Sequence, residues 1–181
     1  MIRNILILVL LILTSCKTTK LTPNKAIEKL GANPYFEIDG QPIKQNDLGK
    51  YNPNDIASLT TYYKKDATTR FGRKAVDGAV IIETKVLAKS RYETLFKKSS
   101  KDYEEVLKEY DREDIQYILN DRILTKDFEG TLASIDDNLL KDIKIIDQKE
   151  LLDKFKVGNK KIGVIIRANS PKNLYNSKKK F

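Results

Sequence analysis

A strand, a capped helix and a second strand follow one another within residues 52–85, NPNDIASLTTYYKKDATTRFGRKAVDGAVIIETK, and the same order of elements returns in weaker form over Leu139–Ile166. A length of 181 residues suits one ordinary domain or two small ones. The repeat selects two small modules, unless two unrelated α+β segments agree by chance. The expected fold class is α+β: two small, degenerate, repeated β-α-β modules joined by a helical segment.

In the first copy, Ala57–Tyr63 is rich in β-branched and aromatic residues, and Leu59, Thr61 and Tyr63 alternate with Ser58, Thr60 and Tyr62, the period of a half-buried strand. Asp66 offers an N-cap for a short helix over Ala67–Phe71, and Gly72 stands where a left-handed residue ends it. Asp77 and Gly78 mark a turn, and Ala79–Glu83 is a nearly continuous apolar run that reads as a buried strand. The two strands are expected side by side in parallel, with the helix as crossover.

With Tyr35-Phe36-Glu37-Ile38-Asp39-Gly40 ahead of it, this stretch resembles the plug domain of TonB-dependent outer-membrane receptors, especially the starch-utilisation type of Bacteroidota. The positions that carry the likeness are Asp39-Gly40, Asp55-Ile56, Phe71-Gly72 in place of Tyr-Gly, Asp77-Gly78-Ala79 in place of Asn-Gly-Val, and Glu83-Thr84-Lys85. The resemblance covers residues 35–85 and implies a scaffold without an activity. A receptor also needs a long run of barrel strands, and only about a hundred residues follow.

Second-module strands are expected at Ile115–Leu119, with Asn120-Asp121 where Asp39-Gly40 stood, at Leu139–Ile146 and at Gly163–Ile166. Asp147 and Glu150 suggest a capping box for Gln148–Phe155, closed by Gly158. Between the modules, Arg91, Tyr92, Leu95 and Phe96 fall at helical spacing, and a Ser99 or Ser100 cap precedes Tyr103, Val106, Leu107 and Tyr110 on one helical face. Thr22, Pro23 and Gly31 frame a further helix ahead of the first strand, matching the helices ahead of Ile115.

At the N-terminus, Arg3, the apolar run Ile5–Leu13 and Leu13-Thr14-Ser15-Cys16 have the layout of a signal peptide ending in a sequence that resembles the bacterial lipobox. The apolar run is shorter than the about 20 residues a bilayer span needs. The lipobox implies diacylglycerol on Cys16, N-acylation such as palmitate, and permanent attachment to a membrane. Lys17 after the cysteine favours the outer membrane, and the absence of an acidic cluster favours its periplasmic face. The expected organisation is a signal peptide over 1–15, a tether over 16–21, modules over 22–88 and 112–169 with a helical connector over 89–111, and a disordered basic tail over 170–181.

The chain has no His and one Cys, which removes imidazole-based triads, most zinc sites and any internal disulfide. No catalytic residue, metal site or cofactor is expected. Glu104 and Glu105 diverge as adjacent helical residues must, and Asp136-Asp137-Asn138 lacks the alternating acids and Gly of a calcium loop. Asp39 reads as a turn former in place of a metal ligand. The net charge of +9 would suit nucleic acid, but the export signal speaks against that partner. Two functions stay open: a non-enzymatic module that docks an envelope protein, or a binder of acidic polysaccharide or anionic lipid through basic surface and the aromatics Tyr62, Tyr63, Tyr92 and Tyr175. A hydrolase built on unassigned carboxylates is the weakest alternative.

Overall fold

The computed structural model describes residues 30–170. Cys16, the helix expected after Thr22 and nearly all of the basic tail lie outside the described residues. Within them the chain forms an α+β fold with two separate four-stranded sheets of the same topology.

The first sheet contains β1 (Tyr35–Ile38), β2 (Gln41–Ile43), β3 (Ile56–Tyr62) and β4 (Ala79–Thr84), in the order β2-β1-β4-β3. The second contains β5 (Ile115–Leu119), β6 (Arg122–Ile123), β7 (Leu140–Asp147) and β8 (Ile162–Ala168), in the order β6-β5-β8-β7. Helix α1 (Lys64–Phe71) joins β3 to β4; α2 (Lys85–Ser99) and α3 (Lys101–Glu109) lead to β5; α4 (Glu129–Ala133) precedes β7; α5 (Gln148–Phe155) joins β7 to β8.

The equivalence runs residue by residue. Leu59 faces Ile82 as Ile143 faces Ile166, and Tyr62 faces Ala79 as Ile146 faces Gly163, a constant offset of 84. Both edge strands carry an irregularity near their start, between Ile56 and Ser58 and between Leu140 and Asp142. Even the entrances agree: Asn52 Oδ1 accepts from the Asn54 N–H at 3.0 Å, and Asp136 Oδ1 from the Asn138 N–H at 2.9 Å. Asp136 is thus an Asx-turn former at the mouth of β7.

The expected parallel pairing of the strands flanking each helix is corrected. β3 and β7 run antiparallel to β4 and β8, and the parallel partners are β1 and β5. An eight-residue helix spans about 12 Å, whereas a seven-residue strand spans about 23 Å. Such a helix cannot return the chain to the start of the strand, so it turns a corner.

Packing explains why some strands read as continuous apolar runs. Every residue of β5 is buried, because the second sheet is covered on both faces. On one face Ile118, Ile146 and Ile165 meet Leu151 of α5; on the other Tyr117, Leu119, Val164 and Ile166 meet Tyr92, Phe96, Tyr103 and Val106 of α2 and α3. The segment expected as a connector therefore helps to build the second core. It is clasped there by Arg91, which donates to the Ala133 carbonyl at 3.1 Å, and by Lys98, 2.8 Å from Asp137. In the first sheet, Ala67, Phe71 and Ala75 pack on Ala79 and Tyr62, and the opposite face gathers Phe36, Ile38, Val80 and Ile82.

Candidate functional site

The best-defined polar arrangement from the predicted set is a pair of matching turn clamps. Asp39 and Gly40 take φ 50° and 81°, and Asn120 and Asp121 take 45° and 68°, the left-handed pairs that two-residue hairpin turns of type I′ need. The Thr84 N–H and hydroxyl donate to the Asp39 carboxylate at 2.8 and 2.7 Å; Thr84 in turn accepts from the Leu87 N–H at 3.3 Å as the N-cap of α2. At the equivalent place the Ala168 N–H donates to Asn120 Oδ1 at 3.0 Å, and Asn120 Nδ2 donates to the Ala168 carbonyl at 2.8 Å. Asp39→Ala is expected to lower stability by about 2 kcal/mol. Asp39→Asn should retain most of it, since Asn serves the twin site; chemical denaturation of both variants checks this.

The helix entrances correct two expectations. α1 begins at Lys64 with Tyr63 as its N-cap, whose side chain does not cap the helix, and Asp66 lies in the first turn. Asp66 is the counterpart of Glu150 at the third helical position, and the true cap, Asp147, has Tyr63 as its counterpart. Asp147 does accept from the Glu150 N–H at 2.7 Å. The Glu150 carboxylate, however, turns to Lys144 and Lys154 at 2.9 and 2.6 Å, so the reciprocal half of the box is absent. These lysines, the Lys154 hydrogen bond first, hold the Glu150 carboxyl below its usual range.

At the helix ends, Gly72 takes φ 73° with ψ −161°, a positive-φ conformation other than the expected left-handed helical one. Lys156, its counterpart, takes the left-handed conformation in place of the predicted Gly158, which lies two residues further on. Gly163 is required by a close approach: a Cβ there would stand 2.6 Å from Ile146 Cγ1 and 3.1 Å from Leu151 Cδ1. Asp77 and Gly78 form the expected turn, where the Asp77 carboxylate accepts from the Asn33 N–H at 2.9 Å. Asp55 ends a short 3-10 turn before β3 and lines a cavity of about 340 Å³ with Ile38, Ile82, Thr84 and Val86.

Two outer surfaces differ between the twin modules. The edge strand β7 carries Lys141, Asp142 and Lys144, whereas β3 has Ala57, Ser58 and Thr60 at the same positions. Against that neutral edge lies α4, whose Gly130 touches the Ala57 carbonyl; Thr60 is exposed. On α1 the Arg70 guanidinium lies 4.8 Å from the Tyr62 ring centre, and in the 3-10 turn after it Lys74 Nζ lies 4.1 Å from that of Tyr35, both rings packing on Phe71 at 5.5 Å. Tyr92, expected among exposed aromatics, is 3% exposed and belongs to the second core, since α2 turns that face onto the sheet.

Three interior polar features have no signal in the sequence. The Tyr103 and Tyr117 hydroxyls share a hydrogen bond of 2.9 Å in the second core. Buried Glu93 accepts two hydrogen bonds from Arg112, at 2.9 and 3.2 Å. Oε2 of Glu129 is buried with no hydrogen-bond partner. The Tyr103–Tyr117 and Glu93–Arg112 partners come from different elements, and the burial of Glu129 Oε2 depends on the tertiary packing, so no local pattern signals them.

Among the described residues no three His, Cys, Asp or Glu side chains are grouped to hold a metal ion, and no helix is long and apolar enough to cross a membrane. Compared with protein-family models, curated proteins and solved structures, the chain gives no significant match.

Proposed function

We propose that this chain is a lipoprotein of the cell envelope, anchored to the periplasmic face of the outer membrane through Cys16, and that it docks a neighbouring envelope protein without catalysing a reaction. The observation that carries the docking part is the edge of β3. It is a seven-residue outer strand without a charged side chain. Natural sheets protect such edges with lysines and other charges, as β7 does here. Beyond Ala57, whose carbonyl α4 covers, the uncharged remainder of this edge can accept a partner's strand through main-chain hydrogen bonds. The resemblance of residues 35–85 to receptor plug domains supports the same reading, because a plug works by packing against other protein.

Thr60 is the counterpart of Lys144, so Thr60→Lys gives β3 its twin's protection. Crosslinking and co-purification from membranes should recover a specific envelope protein with the wild type and with Thr60→Val, and at least tenfold less with Thr60→Lys. Equal recovery with Thr60→Lys excludes docking at this edge. Fractionation of Cys16→Ser tests the anchor separately: release from the membrane supports acylation, and unchanged fractionation excludes it.

A further inference from the structure

Five cations stand within eleven residues of the first module, Lys64, Lys65, Arg70, Arg73 and Lys74, with Asp66 as the single acid among them. All five side chains are exposed. None makes an ion pair with any carboxylate, although eleven such pairs occur among the described residues. The nearest acid on the strand beneath, Glu37, is engaged by the Tyr35 hydroxyl at 2.8 Å.

The twin module shows that the scaffold does not require this charge. Lys154, counterpart of Arg70, pairs with Glu150 four residues earlier, whereas Arg70 leaves Asp66 and lies on the Tyr62 ring. Gln148 replaces Lys64, and beyond the helix Lys160 and Lys161 bind the Glu113 carbonyl and Asp114. Lys64 and Lys65 also stand in the first turn of α1, where the helix dipole disfavours cations. The same backbone thus carries three lysines and two acids over residues 148–158, against five cations and one acid over residues 64–74.

We infer that the outer surface of α1 and the turn after it is a docking surface for the anionic head groups of a phospholipid membrane. The cations are all exposed and sit on one helix and the 3-10 turn that follows it. Val76, 66% exposed, follows them with an apolar side chain that can enter the interfacial layer. The choice of a membrane rests on the anchor proposed above: Leu30 is fourteen positions after Cys16, a reach of at most about 50 Å. A chain so tethered meets lipid head groups at high effective concentration.

The test uses the full chain bearing Cys16→Ser, so that no acyl chain contributes, with vesicles of phosphatidylcholine alone or with one third phosphatidylglycerol. The readout is the ratio of the two partition coefficients, which cancels any contribution of the apolar N-terminus common to both vesicles. Each cation near an anionic surface changes partition by roughly fivefold. Lys64→Asn, Lys65→Gln and Arg73→Gln together should lower the ratio by about a hundredfold. A control removing the same charge from exposed lysines elsewhere, Lys97→Gln, Lys101→Gln and Lys149→Gln, should leave it within about threefold.

Equal loss in the two triple variants, or no preference for phosphatidylglycerol, overturns the inference. So does tighter, patch-dependent binding of soluble polygalacturonate, which would assign the surface to an acidic polysaccharide. Because the chain carries no acyl group, failure here is distinguishable from failure of the Cys16 anchor, which fractionation reads.

Discussion

Phe96→Ala is expected to destabilise the protein by about 4 kcal/mol, measured by chemical denaturation. Phe96 is fully buried, 5.6 Å from the Tyr92 ring and 5.6 Å edge-on to Tyr103. Tyr117 extends the cluster at 5.8 Å from Tyr92, and Phe128 lies 5.5 Å beyond it. Removing the central ring leaves a void that its rigid neighbours cannot close, and it detaches α2 and α3 from the sheet together. The same cluster makes the protein sensitive to alkali. Burial, ahead of neighbouring charge, raises the pKa of Tyr92, Tyr103 and Tyr117 above the ordinary tyrosine value. The unfolded chain then releases its phenolic protons first, so the stabilisation is whole below about pH 10 and is lost as pH rises above it. Tyrosinate absorbance from these three should appear only with unfolding, and Tyr103→Phe should move that transition to higher pH.

Leu151→Ala is expected to cost about 3 kcal/mol, and Gly163→Ala about 2 kcal/mol. The double variant should be less unstable than the sum by about 1 kcal/mol, because the added methyl occupies part of the void. The relief is partial because Ile146 Cγ1 is closer to that methyl than Leu151. The twin module already shows the exchange: Ala67 and Ala79, both fully buried, stand where Leu151 and Gly163 stand. One carbon stands on the strand there and the pair holds two side-chain carbons in place of four, with the larger Tyr62 in place of Ile146. A double-mutant cycle by denaturation measures the coupling, and strict additivity would count against it.

The repeat was legible because element order and spacing are kept: Asp55 and Leu139, read from the sequence as equivalent strand entrances, stand immediately before β3 and β7 in the structure. β5 and β8 were legible because burial on both faces forces continuous apolar runs. Strand direction was not, since Tyr62 to Ala79 reads alike as a crossover or a corner until helix length is set against strand length. Asp66 misled because a carboxylate near a helix start is a general cap cue, while the true position is fixed by where β3 ends, at Tyr62, two residues before Lys64. The candidate surfaces were hidden for another reason. The cations of α1 are adjacent in sequence, but their lack of partners emerges only beside pairs such as Lys85 with Asp127 and Lys98 with Asp137, which only the fold brings together. Likewise the neutrality of β3 acquires meaning only once β3 is placed at an edge and aligned with β7.

Thr84 ends the first sheet, holds Asp39 and caps α2, so no linker separates the sheet from the helix that fills the second core. One residue inserted between Thr84 and Lys85 would rotate α2 by about 100°. Tyr92 and Phe96 would then face away from Tyr117. The second module is therefore locked in phase with the first. The junction admits no change in length, because the residue that ends the first sheet also starts the helix that fills the second core.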